Sequence, residues 1–90
     1  MIVSTPVAQA TVRVLLFAQL RGRFGADELA VSLPSSSTGS DLMRWLSQRD
    51  PKVKDLLSVS RLAINGEYVS KDCRLQDGDE VVVIPPVSGG

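Results

Sequence analysis

Glu80-Val81-Val82-Val83-Ile84-Pro85-Pro86-Val87-Ser88-Gly89-Gly90 closes the chain, and its reading decides the fold. Val81 to Ile84 is apolar at every position, so both faces of this strand are covered and it belongs in the middle of a sheet. Pro85 has no N–H to give to a ladder and ends the strand. Pro86 then leads into a short tail whose last two residues carry no side chain and are free in backbone conformation. A central strand thus runs straight into a narrow thread that ends in a carboxylate with no Cβ beside it. The expectation is that residues 86–90 do the work and residues 11–85 form the domain that presents them.

Working back from that strand, Thr11 to Gln19 is the other strongly apolar, β-branched run. Val12, Val14 and Leu16 point one way, and Arg13, Leu15 and Phe17 the other. Leu20 to Asp27 contains Gly22 and Gly25 and is read as a turn. Glu28 to Leu33 alternates, with Leu29, Val31 and Leu33 on one face, and completes an antiparallel hairpin with a long connection. Pro34 and Ser35-Ser36-Ser37 end it.

A helix follows, with Thr38 or Ser37 as its N-cap and Asp41 in the first turn to suit the helix dipole. Leu42, Trp45, Leu46 and Arg49 fall at i, i+3, i+4 and i+7. Trp45 therefore reads as a core anchor, with the stem of Arg49 laid along the stripe. Asp50-Pro51 stops this helix and starts a second, burying Val53, Leu56 and Leu57. Arg61 to Asn65 and Glu67 to Ser70 flank Asn65-Gly66, a strong signal for a type I′ hairpin turn. Gln76 to Asp79 turns the chain into the last strand.

The element order β, β, α with a helical appendage, β, β, β describes an α+β sheet with one main helix across one face. Placing the two most apolar strands side by side in the centre of a mixed sheet of about five strands yields a ubiquitin-like β-grasp. One helix covers one face only. Leu15, Phe17, Val82 and Ile84, joined by Tyr68, are then left on the other, and an apolar patch of that kind marks an interaction surface. Shielding by loops or by the second helix is the alternative.

Ninety residues make one domain, with ten basic residues against ten acidic ones. That balance offers no electrostatic footprint for nucleic acid. Histidine is absent, which excludes Ser-His-Asp and Cys-His catalysis and any histidine metal site. The one cysteine, Cys73, cannot form an internal disulfide and suits a reducing compartment. Lys71 and Arg74 flank it without a neighbouring base, so it is taken as incidental. Residues 1–10 read as a flexible leader. Ala8-Gln9-Ala10 has the small-x-small pattern of a cleavage site, but no basic or long apolar segment precedes it. No run is long and apolar enough to be expected to span a membrane.

A bare carboxylate reacts poorly because its leaving group is poor. Adenylation by ATP would activate it, after which a sulfur donor or an amine could capture the acyl group. Either route requires the tail to enter another protein's active site. Residues without side chains make a thread thin enough to do so, and Pro85-Pro86 limits the entropy lost on insertion.

On these residues the chain resembles the small subunit of molybdopterin synthase, a ubiquitin-like sulfur carrier of molybdenum cofactor biosynthesis. The resemblance is carried by Val14-Leu15-Leu16-Phe17-Ala18-Gln19-Leu20-Arg21 with Gly25, by Leu75-x-Asp77-Gly78-Asp79-Glu80-Val81, and by Pro85-Pro86-Val87-Ser88-Gly89-Gly90. It runs from Thr11 to the end, and the middle helix matches only loosely. It implies a cytoplasmic subunit whose Gly90 is adenylated, with ATP and magnesium, by a ubiquitin-activating-type adenylyltransferase and is then converted to a thiocarboxylate. Pro86, Val87, Ser88 and Gly89 would insert into the large subunit, where sulfur passes to cyclic pyranopterin monophosphate. Two such transfers build the dithiolene. Phe17, Arg21, Tyr68 and Ile84 match interface positions of the family's heterotetramer of two small and two large subunits, although Tyr68 stands where an aliphatic residue is common. The chain would act as the sulfur-donor subunit of a sulfurtransferase, without an acid–base site, a metal or a permanently bound cofactor of its own. Alternatives are a thiamine-pathway sulfur carrier, a protein-modifying ubiquitin-like tag, and a β-grasp interaction module with no carrier role.

Overall fold

Alternating burial along the three longer strands divides the sheet into a covered and an open face. In the computed structural model, which describes residues 8–86, the strands are β1 (Gln9–Leu16), β2 (Glu28–Pro34), β3 (Arg61–Ile64), β4 (Glu67–Val69) and β5 (Glu80–Ile84). The helices are α1 (Ala18–Phe24), α2 (Gly39–Arg49) and α3 (Lys54–Ser58), the last entered through a 3-10 turn, Pro51–Val53. The sheet order is β2-β1-β5-β3-β4. β1 and β5 are parallel neighbours, and every other pairing is antiparallel. This is the expected β-grasp, with β5 in the middle position.

Val12, Val14 and Leu16 of β1 meet Val31 and Leu33 of β2, Val81 and Val83 of β5 and Leu62 of β3 on the covered side. Leu42, Met43 and Leu46 of α2 close over them, and Val53 and Leu57 extend the same core. Burying so many aliphatic side chains, at about 1.5–3 kcal/mol each, is the main force holding helix to sheet. α3 packs against α2, so it does not shield the open face.

Of the two expected caps, Thr38 and Ser37, it is Thr38 that caps α2. Its hydroxyl accepts from the Asp41 N–H while Asp41 accepts from the Thr38 N–H at 2.9 Å, a reciprocal capping box. Trp45 is half-buried at the core margin, with the Arg49 guanidinium 4.3 Å from its ring centroid. Asp50 caps the following turn through the Lys52 N–H and also pairs with Arg23. Asn65 and Gly66 have φ of 50° and 89°, the positive values a type I′ turn requires.

Two expectations are corrected. The first strand begins earlier and ends sooner than Thr11 to Gln19. Gln9 and Ala10 pair with Pro34 and Leu33, and Ala10 is buried. The domain therefore reaches back into the stretch taken as leader, because the length of β2 supplies partners for it. At the other end Ala18 takes a left-handed φ of 53° and breaks the strand. The chain then forms α1 where a turn was expected. Leu20 is fully buried there, and Gly25, at φ 66°, closes the helix through an N–H bond to the Arg21 carbonyl. Burial of one leucine and a glycine C-cap outweigh the poor helical propensity of Gly22.

Candidate functional site

The strand registers assemble the open face residue by residue. Leu15 of β1 lies opposite Val82 of β5, Val82 opposite Ala63 of β3, and Ala63 opposite Tyr68 of β4. This row crosses four strands. Toward the C-terminal end of β5, Ile84 lies opposite Arg61. Phe17 directly follows β1 with extended backbone, φ −126° and ψ 159°, and continues the parity of Leu15.

Leu15, Val82 and Ile84 are half-buried, whereas Phe17 is 48% and Tyr68 63% exposed. These are the two exposed aromatics among the described residues. Phe17, Tyr68 and Ile84 of the expected interface thus share the open face. Arg21 lies apart from the sheet rows, on α1, in a loose 3.4 Å ion pair with Asp27.

The charged groups on this face are arranged unequally. Arg13 is held between two carboxylates, with its Nε 3.2 Å from Glu28 and its Nη2 bonded to Glu80. Arg61 instead has its guanidinium carbon 4.3 Å from the centroid of the Tyr68 ring. Neither arrangement was anticipated. The second was within reach, because a two-residue turn at Asn65-Gly66 places Ala63 opposite Tyr68 and so brings Arg61 diagonal to the ring.

The tail leaves from the same end of the sheet. Ile84 ends β5, Pro85 is buried and Pro86 is exposed. Val87, Ser88, Gly89 and Gly90 lie outside the described residues. Because β5 runs parallel to β1, with Leu16 opposite Val83, the exit lies at the Phe17 end of the face.

Elsewhere the chemistry is sparse. Among the described residues no three His, Cys, Asp or Glu side chains are grouped to hold a metal ion. No described helix is long and apolar enough to cross a membrane. A cleft of about 230 Å³ on the helical side, between α2 and α3, is lined by Met43, Arg44, Leu57 and Lys71 among others and contains no carboxylate or thiol. Cys73 is half-buried, and its carbonyl accepts the Gly39 N–H at 3.0 Å. Its contact with the main helix is therefore made by the backbone.

Residues 14–90 match the ThiS family. The molybdopterin synthase sulfur carrier subunit of Dictyostelium discoideum is 41% identical over 81 residues, covering 87% of this chain and 94% of that protein. A candidate subunit 1 of a molybdopterin converting factor from Pyrococcus furiosus superposes with a TM-score of 0.79 at 36% identity, over 87% of this chain and 99% of that one. A chain from the complex of subunits 1 and 2 of the molybdopterin-converting factor of Helicobacter pylori has a TM-score of 0.60 at 25% identity, over 89% and 99%. By the match over residues 14–90 and by these similarities, this chain belongs to the ThiS family, among the molybdopterin synthase sulfur carrier subunits.

Proposed function

We propose that the chain carries sulfur as a thiocarboxylate on Gly90 and delivers it to cyclic pyranopterin monophosphate inside the large synthase subunit, in two rounds that complete the dithiolene. The observation that carries the reading is the course of β5. It is the central strand, it is parallel to β1, and it hands the chain to a buried Pro85 at the end of the face where Phe17 and Ile84 lie.

In this reading the Gly90 carboxylate attacks the α-phosphorus of ATP on a ubiquitin-activating-type adenylyltransferase that uses magnesium. Pyrophosphate leaves, and a sulfur donor then displaces AMP. The chain's own residues supply no acid or base. Pro85 and Pro86 aim the tail and lower the entropy lost when it inserts. Val87, Ser88 and Gly89 form the inserted thread. Phe17, Tyr68 and Ile84, with Arg21 beside them, form the contact with the large subunit in an assembly of two small and two large subunits. The work of a sulfurtransferase is then divided: this chain donates, the large subunit catalyses, and both act in the cytoplasm.

Intact mass after incubation with ATP, the activating enzyme and a sulfur source tests the carrier step. The expected product is heavier by the difference between one sulfur and one oxygen. Adding the large subunit and pyranopterin substrate tests delivery. Deleting Gly90, or appending one residue after it, should abolish delivery without altering the fold. Tail variants that still support molybdopterin synthesis would sink the proposal. A loaded chain that fails to convert the pyranopterin would favour a thiamine-pathway carrier or a protein-modifying tag.

A further inference from the structure

The open face holds two arginines with opposite electrostatic histories. Arg13 is neutralised by Glu28 and Glu80 before any partner arrives. Arg61 is exposed and, among the described residues, has no carboxylate within ion-pair distance; it lies over the Tyr68 ring at 4.3 Å. It also stands opposite Ile84, the last residue before the double proline. A guanidinium held over an aromatic face keeps donors at its rim free while losing part of its conformational freedom. The stack is therefore a preset cation beside the base of the tail.

A protein surface that covers Phe17, Ile84 and Tyr68 must also take Arg61 out of water. Desolvating a charge without a partner is strongly unfavourable, so a surface that tolerates this one must supply an acceptor. The planar fork of guanidinium donors is matched best by a carboxylate. We infer that Arg61, positioned by Tyr68, is a recognition residue that pairs with an Asp or Glu on the large synthase subunit. Tyr68 is then the platform for the cation as well as an apolar contact. This inference rests on the open face being the docking surface and adds the chemistry its partner must present.

Calorimetric titration of the purified chain with the purified large subunit, at low and at moderate salt, tests it. Arg61→Gln should weaken binding by about thirtyfold or more, and its affinity should vary less with salt than that of the wild type. Arg61→Lys, which keeps the charge and loses the fork, should fall between them. Tyr68→Phe, which keeps the ring, should bind like the wild type, whereas Tyr68→Leu should lose affinity. Binding of Arg61→Gln within twofold of wild type, or with an unchanged salt dependence, would overturn the inference. Phe17→Asp separates this from failure of the docking reading. If it weakens binding while Arg61→Gln does not, only the carboxylate pairing is wrong. If neither weakens binding, or the wild type does not bind, the docking face itself is wrong and the inference falls with it.

Discussion

Asn65 and Asp79 lock the β3–β4 turn to the loop that feeds β5. Asn65 Nδ2 donates to Asp79 Oδ1 at 2.9 Å, and Asn65 Oδ1 accepts the Glu80 N–H at 3.0 Å. The second Asp79 oxygen accepts the Gln76 N–H at 2.8 Å. Asn65 also occupies the left-handed region. Asn65→Ala should therefore cost about 2–3 kcal/mol, from lost hydrogen bonds and a less tolerant backbone. Asn65→Gly keeps the backbone freedom and should cost less. Urea unfolding of the two variants measures the difference, and equal losses would assign the whole effect to the side-chain bonds.

At Gly39 the start of α2 lies close against the sheet and the Lys71 backbone. A Cβ there would lie 2.4 Å from Leu62 Cδ1 and 3.0 Å from the Lys71 carbonyl oxygen. Leu62 is fully buried and the carbonyl belongs to the backbone, so neither moves aside freely. Gly39→Ala should destabilise the fold by about 1–3 kcal/mol through overpacking, despite alanine's better helical propensity. An unchanged melting temperature would show that α2 can shift away from the Lys71 segment.

The Asp41 carboxyl is held below its ordinary value of 3.8 chiefly by the Thr38 N–H; burial opposes this, and the Thr38 hydroxyl and the nearby Arg44 add lesser lowering effects. A lowered folded-state pKa means that the stabilisation is present above the ordinary value and is lost as pH falls through the folded one. Asp41→Asn keeps an acceptor but not the charge. The wild type should thus be the more stable at neutral pH, and the gap should close on acidification below the ordinary value. Paired thermal melts across that range check it, and a gap independent of pH would remove the charge from the account.

Phe17 is half exposed at the end of β1. Phe17→Asp should weaken binding to the large subunit by about 2 kcal/mol or more, the size of an interface hot spot, with little change in unfolding free energy. A large loss of stability would instead make Phe17 part of the core.

Cys73 serves through its backbone, donating to Ser70 and accepting from Gly39. Cys73→Ser should leave sulfur transfer near wild type in the reconstituted assay. An inactive but folded variant would give the thiol a role after all.

Much of this arrangement was legible in residue order. The covered and open faces follow from alternation in Val12–Phe17 and Val81–Ile84, since a strand's side chains change face at every residue. The Thr38 cap and the Asn65-Gly66 turn were legible because their chemistry is complete within four residues. The α1 helix was not, since AQLRGRF has a central glycine and only Leu20 buried.

The sequence by itself determined which side chains share a face, where the sheet turns, and that no histidine chemistry resides in the chain. Those properties depend on composition and on neighbours a few residues apart. Tertiary structure decided that Gln9 and Ala10 belong to β1, that Leu20 is buried, and that Arg13 is neutralised while Arg61, among the described residues, has no carboxylate partner. Arg13 and Glu80 stand 67 positions apart, and charges so distant in sequence meet only once the parallel pairing of β1 and β5 has closed the sheet.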